Sequence, residues 1–348
     1  MSASTSGCRR AARGLGTIAR TRLAAFGFAA FWFAAVAGVV VFSADGALAA
    51  DAARADCPPS AAPIDAEHFR AALRDAVADH GFLWRIERDG RVSYLYGTIH
   101  VAGPEWMFPG TLTKQALAAS DTVALELDLL DPGLAGRLAN SAKASAGEAL
   151  PAELTERIDR RTLAECMDPA RLRALAPEFQ VAALGVAAAR REGVDAAYAI
   201  DLVLAVAGRV LGKQVVSLET PESQAGALRA PTREATIELV RDGLDDLDSG
   251  HAGALVARLA DVWRTSDLAA LDDYARWCGC ARSDADRQAM KVLIDDRNVL
   301  LAARIDALHG TGHAVFAAVG SLHMIGPQGL PALMRGRGFR VDRLVPAP

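Results

Sequence analysis

Apolar and polar positions alternate through Phe82-Leu83-Trp84-Arg85-Ile86 and again through Val92-Ser93-Tyr94-Leu95-Tyr96, with Asp89-Gly90 between them. Asp-Gly joining two such runs predicts a β-hairpin. Short β-branched apolar runs at Thr122 to Leu127, Gln214 to Leu218, Ala314 to Val319 and Arg340 to Val345 predict further strands. Between them, Ala and Leu recur at three- and four-residue spacing through Arg171 to Arg191, Asp195 to Leu211, Glu234 to Leu259 and Asp286 to Leu308, the period of helices. Strands separated by helices place the chain in the α/β (α+β) class: a central mixed sheet with an N-terminal β-hairpin and a large, mainly helical insertion over about 133–300. That insertion holds a single convincing strand, at Gln214 to Leu218.

The N-terminus breaks this pattern. Five arginines (Arg9, Arg10, Arg13, Arg20, Arg22) precede a nearly unbroken apolar run from Leu23 to Phe42, and Ala47-Leu48-Ala49 follows as a small-x-small pattern. This order predicts a signal peptide over 1–49, cleaved after Ala49, with a retained membrane anchor as the alternative. Residues 50–81 then form a flexible leader and first helix, and 82–348 one domain. The expected location is periplasmic or secreted, with membrane contact only through an uncleaved signal.

Losing five arginines and one aspartate with that segment leaves 33 basic and 41 acidic residues, a net charge of −8. No basic patch or stripe remains, which excludes a nucleic-acid partner. Four cysteines also remain, Cys57, Cys166, Cys278 and Cys280, an even number in an oxidising compartment. Strain in a Cys-x-Cys ring favours Cys278 and Cys280 bonding separately to Cys57 and Cys166, with a redox-active Cys-Gly-Cys as the alternative. The spacing of a cysteine zinc site is absent.

Two distant segments match: Tyr94-Leu95-Tyr96-Gly97-Thr98-Ile99-His100 and Ala317-Ala318-Val319-Gly320-Ser321-Leu322-His323. Each reads as a strand, a glycine permitting a sharp exit, two residues and a histidine at the carboxyl end, where ligands of α/β sheets collect. A lone Gly-x-x-His is usually a loop or core histidine; the matched pair in matched context gives these two a candidate function. In Val123-Ala124-Leu125-Glu126-Leu127-Asp128, alternation puts Glu126 on the face opposite Leu125 and Leu127. A carboxylate in a buried strand needs a metal or a charged partner, so Glu126 reads as a metal ligand or as one half of a salt bridge to a helix arginine. Two imidazoles and a carboxylate suit Mn, Fe, Co or Zn. Glu219 ends the next strand as a further ligand, a general base or a helix cap. Asp295-Asp296-Arg297-Asn298 starts a turn of a helix and by default reads as a solvated charged face, and Gly193-Val194-Asp195 reads as a helix start with Asp195 as N-cap. Gly310 and Gly312 oppose a helix carrying both His309 and His313, so these read as loop residues. There is no Gly-x-Ser-x-Gly elbow, P-loop or Gly-x-Gly-x-x-Gly after a strand.

At these residues the chain resembles the TraB/GumN family (TraB/PrgY/GumN), grouped with the Tiki metalloproteases and erythromycin esterases. The resemblance runs from Phe82-Leu83-Trp84 and Gly97-Thr98-Ile99-His100 through Glu126-Leu127-Asp128, Gly193-Val194-Asp195, Leu218-Glu219-Thr220 and Arg297-Asn298 to Gly320-Ser321-Leu322-His323, Gly326, Gly329-Leu330 and Gly338-Phe339. It implies a divalent-metal hydrolase with His100, Glu126 and His323 as ligands, Mn or Co as the ion and Zn as a further candidate. Arg297 then stabilises an anion or transition state, and whichever of Glu126 and Glu219 is not a ligand takes the proton. The implied substrate is a peptide or another small hydrolysable molecule. The alternative is a non-catalytic periplasmic accessory or binding protein linked to polysaccharide biosynthesis.

Overall fold

Asp89 and Gly90 both adopt positive φ, 53° and 74°. Two left-handed residues in sequence match the twist of the flanking strands, and β1 (Phe82–Arg88) and β2 (Arg91–Thr98) pair around them from Arg88↔Arg91 to Phe82↔Gly97. The computed structural model describes residues 56–346 other than 60, 63–65, 76, 146–148 and 282. The signal read at 1–49 lies outside the described residues. Among them, no helix is long and apolar enough to cross a membrane.

From β2 the sheet grows by parallel neighbours. Strand β5 (Val315–Gly320) pairs with β2, β3 (Thr122–Leu125) with β5, and β4 (Gln214–Ser217) with β3. Strand β6 (Arg340–Val345) closes the far edge, antiparallel to β1, giving the order β4-β3-β5-β2-β1-β6. The expected mixed sheet and hairpin are both present. Strand β5 lies between parallel partners and is buried at every residue, hence the unbroken apolar Val315-Phe316-Ala317-Ala318-Val319.

The register brings the matched motifs side by side, with Gly97 opposite Val319 and Thr98 opposite Gly320. Neither glycine has positive φ. Their role is close approach rather than the sharp exit expected of them: a Cβ on Gly97 would lie 3.2 Å from Met324 Cγ and 3.2 Å from Ser321 Cα.

Between β3 and β5 the described chain is helical except for β4, as its periodicity predicts. Helix Pro177–Ala188 is buried along its whole length, which is why its sequence is small and apolar all round. Helix His251–Arg264 packs on it, so closely that a Cβ on Gly253 would lie 3.1 Å from Ala188 O. At the end of that helix, buried Trp263 donates from Nε1 to Gly97 O at 2.7 Å and fastens the insertion to the first motif. Gly81, at φ +73°, faces the same indole, and a Cβ there would come within 2.6 Å of it.

The cysteines pair differently from the expectation. Cys57 bonds Cys166, and Cys278 bonds Cys280. Gly279 adopts φ 67°, a left-handed conformation that folds the chain back within three residues and brings the Cys278 and Cys280 Cα atoms to 5.2 Å. That leaves Cys57 to tie the leader to Cys166, just beyond helix Ala152–Ala164.

Candidate functional site

The carboxyl ends of β2, β3, β4 and β5 lie along one edge, and each delivers a side chain to it. Strand β2 ends at Thr98, two residues before His100. The His100 ring is held by helix Ile200–Val210, whose first turn carries Asp201: His100 Nδ1 is 2.6 Å from Asp201 Oδ2, and Thr98 Oγ1 donates to Asp201 Oδ1 at 2.7 Å. Backbone bonds fix that helix against the strand end, with Ile200 N donating to Ile99 O at 3.0 Å and Ala102 exchanging bonds with Asp195. Asp195 caps the short turn Ala196–Tyr198 that leads into the helix, as its sequence position predicts.

On the opposite side, β5 ends at Gly320 and the turn Ser321–Met324 carries His323. Its Nδ1 is 2.5 Å from Asn298 Oδ1, while Asn298 Nδ2 donates to Gln328 O at 2.8 Å. Asn298 and Arg297 open helix Asp296–Gly310, which comes directly after a single π-helical turn at Lys291–Asp295. A π turn takes an extra residue and rotates the helical face beyond it, and such turns cluster at functional sites.

Glu126 departs from its expected place. The β3 ladder ends at Leu125, so Glu126 stands just beyond the strand and not within it, although Glu219 N still donates to Glu126 O at 3.0 Å. Its carboxylate is engaged on both oxygens: Gly320 N donates to Oε1 at 2.6 Å, and Arg297 Nη2 and Gln224 Nε2 donate to Oε2 at 2.9 and 3.1 Å. The salt bridge to a helix arginine is therefore present. Glu219 takes the guanidinium as a fork, accepting from Arg297 Nε on Oε1 at 2.9 Å and from Nη2 on Oε2. It does not cap the following helix; Thr220 does, accepting from Ser223 N.

All these side chains are enclosed, with Glu126 4% and Arg297 6% exposed and His323 fully buried. Burial raises the Glu126 carboxyl pKa to about 7, against the opposing pull of Arg297 and His100. Burial also opposes charge on His100, but the adjacent Asp201 carboxylate outweighs it and the His100 pKa rises. At His323, burial, then Arg297 and His100, push the pKa well below the ordinary value.

The groups converge in front of Gly320. A Cβ built there would lie 3.2 Å from Glu126 Oε1, 3.6 Å from His100 Nε2 and 3.8 Å from His323 Cδ2. Thus His100, Glu126, Glu219, Arg297 and His323 lie together at this strand edge. Among the described residues, however, no group of three or more His, Cys, Asp and Glu side chains is arranged to hold a metal ion as it stands. His309 is not a loop residue: it sits in helix Asp296–Gly310, buried, with Nδ1 2.9 Å from Ser93 Oγ and Nε2 3.2 Å from Arg88 O. Ending the helix at Gly310 accommodates His309, while His313 lies beyond it beside Asp121. Sequence reasoning missed Asp201 and Gln224. Both read as ordinary helix residues, Asp201 as an acidic group matched to a helix N-terminus.

A sequence profile of the TraB/PrgY/gumN family matches residues 82–343, a span that includes every one of these groups. The chain belongs to this family. Its similar proteins include Metalloprotease TIKI1 of Danio rerio, 27% identical over 317 residues, covering 76% of this chain and 63% of the relative. Metalloprotease TIKI2 of Danio rerio is 25% identical over 328 residues, covering 77% and 61%. The chain therefore spans less than two thirds of the length of these relatives. No solved structure matches it.

Proposed function

We propose that this family member is an exported, divalent-metal-dependent hydrolase of peptides or similarly small hydrolysable substrates. The observation that carries the reading is the convergence of His100 Nε2, Glu126 Oε1 and the His323 ring on the bare Cα of Gly320, at the strand edge where α/β proteins bind ligands. The similarity to two metalloproteases supports the metal. In kind, the donors fit: two imidazoles, each tied at Nδ1 to an outer acceptor, beside a carboxylate, a set suited to Mn or Co and also to Zn.

A divalent ion held by His100 and His323 would supply Lewis acidity, lowering the pKa of a water and polarising the scissile carbonyl. The chain's own residues do the rest. Glu126 is matched to take a proton near neutrality because its pKa is about 7. Glu219 faces Arg297 with both oxygens and acts as its anchor; Glu126 meets Arg297 through Oε2 alone and sets Oε1 beside Gly320 and His100, so Glu126 takes the part of base. Arg297, presented by that fork, offers charged donors to an oxyanion or a substrate carboxylate.

The test is elemental analysis of purified protein together with a peptide-library digest with and without chelator. Bound Mn or Co and chelator-sensitive cleavage are expected. Glu126→Gln should stop turnover and leave metal uptake intact; weakened uptake would make Glu126 the third ligand instead. A second reading, a non-catalytic binding protein with a structural charge network, is favoured by the way Arg297 bridges Glu126 and Glu219 in a buried cluster. It requires metal-free protein that cleaves nothing.

A further inference from the structure

The partners of the two histidines have different chemistry, but both make the same demand on the imidazole. Asn298 donates from Nδ2 to Gln328 O at 2.8 Å, with His323 O at 3.5 Å on the same side. Turning the amide over would set Oδ1 against those carbonyl oxygens, so Oδ1 is the atom facing His323 Nδ1 at 2.5 Å. An amide oxygen only accepts, and the His323 proton must therefore sit on Nδ1. For His100, the facing atom is Asp201 Oδ2 at 2.6 Å, while Asp201 Oδ1 accepts from the Thr98 hydroxyl. An ionised carboxylate also only accepts, so this ring too carries its proton on Nδ1.

We infer that Asp201 and Asn298 are paired positioning residues that hold His100 and His323 in the Nδ1–H tautomer, so that each presents Nε2 as its lone-pair atom to the site. This deepens the proposed function, since it explains why both imidazoles would offer the same atom. Each partner is built into the elements that make the site. Asp201 lies in the first turn of a helix pinned to Ile99 O, and Asn298 directly follows the Arg297 that bridges the two glutamates. Both are buried, Asn298 completely. The pairing is asymmetric, a charged acceptor for His100 and a neutral one for His323.

The test is two-bond 15N–1H correlation spectroscopy of the metal-free, histidine-labelled protein, recorded with rising pH until each ring is neutral, which for His100 beside Asp201 comes later than for an unperturbed imidazole. The wild type should show protonated Nδ1 and unprotonated Nε2 at both residues. Asp201→Asn puts an amide in place of the acceptor pair; with Thr98 Oγ1 still donating to its oxygen, its NH2 faces Nδ1 and should move His100 toward Nε2–H. Asp201→Leu and Asn298→Leu should move the tautomer ratio of His100 and His323, respectively, at least about threefold toward Nε2–H, with His309 signals unchanged as the control for folding. In Co2+ titrations the two Leu variants and Asp201→Asn should each bind roughly 10–100-fold more weakly than wild type. A wild-type spectrum in which either neutral ring carries its proton on Nε2 overturns the inference, whatever the variants do. So do unchanged spectra in both Leu variants. Because the spectra are recorded without metal, they separate the tautomers from metal uptake, which the Co2+ titration of the same wild-type sample reads.

Discussion

At the end of β2, Gly97 turns its Cα toward the other motif, against Ser321 and Met324; at the end of β5, Gly320 turns its Cα toward Glu126 and His100. Three residues on, His100 meets a carboxylate and His323 an amide. The same four-residue pattern on neighbouring parallel strands thus produces a histidine whose pKa is raised and one whose pKa is lowered. Repetition in sequence places a side chain at an edge. Its surroundings set its protonation: for His100 the Asp201 carboxylate outweighs burial, and for His323 burial decides, with Arg297 and His100 adding to it.

The largest effect that can break this comparison is loss of the site altogether. The double variant His100→Ala/His323→Ala should abolish tight metal uptake, measured by elemental analysis, with most of the fold intact by circular dichroism. His309→Ala should retain uptake yet cost roughly 1–3 kcal/mol in denaturant unfolding, because it removes the partner of Ser93 and Arg88 O in the core. Uptake persisting in the double variant would end the metal reading.

Next is the charge cluster between the two motifs. Arg297→Met leaves Glu126 and Glu219 buried without their shared cation, an expected loss of about 3–5 kcal/mol in denaturant unfolding at pH 8. Lowering the pH should recover part of it, since protonating a carboxyl relieves the repulsion. A loss that does not change with pH would contradict the shared-cation arrangement.

The pH dependence of stability sharpens the comparison. Glu126 titrates in the folded protein at about 7, against 4.5 when unfolded, so between those values the folded state holds the extra proton. Stability should fall as pH rises through that window, by at most about 3 kcal/mol, and Glu126→Gln should flatten the curve. His100 adds to the same slope: its raised pKa gives stability that is present below the unfolded value of 6.5 and lost as pH rises through the folded one. His323 has the opposite sign, with stability present above 6.5 and lost as pH falls. Urea unfolding of His100→Asn and His323→Asn across pH 4 to 9 should change the slope in opposite directions; a change of the same sign in both would remove the distinction.

The smallest effects belong to the glycines. Gly97→Ala and Gly320→Ala should each cost about 1–3 kcal/mol by overpacking. Only Gly320→Ala should also disturb Glu126, its Cβ falling 3.2 Å from Oε1, which would be seen as a shifted pH-rate profile.

Much of the fold and site is legible in the chain alone. Asp89-Gly90 between alternating runs determines the hairpin, because few residue pairs tolerate two left-handed conformations in sequence. Apolar runs set the parallel strands, and the strand-end positions of His100, Glu219 and the Gly320 motif result from them. Glu126 shows the margin of such reading: alternation places it in a strand, whereas the ladder stops one residue earlier. Local sequence likewise predicts that strain keeps Cys278 and Cys280 apart, yet the left-handed Gly279 joins them.

What only the tertiary structure decided is which groups share a low-dielectric volume. Glu126 and Arg297 are 171 positions apart, and His100 and Asp201 are 101 apart. Periodicity reports the neighbours of a residue along its own helix or strand, so it cannot see a carboxylate brought by a helix from another part of the chain. Hydrogen bonding and ion pairing act over a few ångströms in space, and there the sheet register and the packing of the helical insertion determine the chemistry.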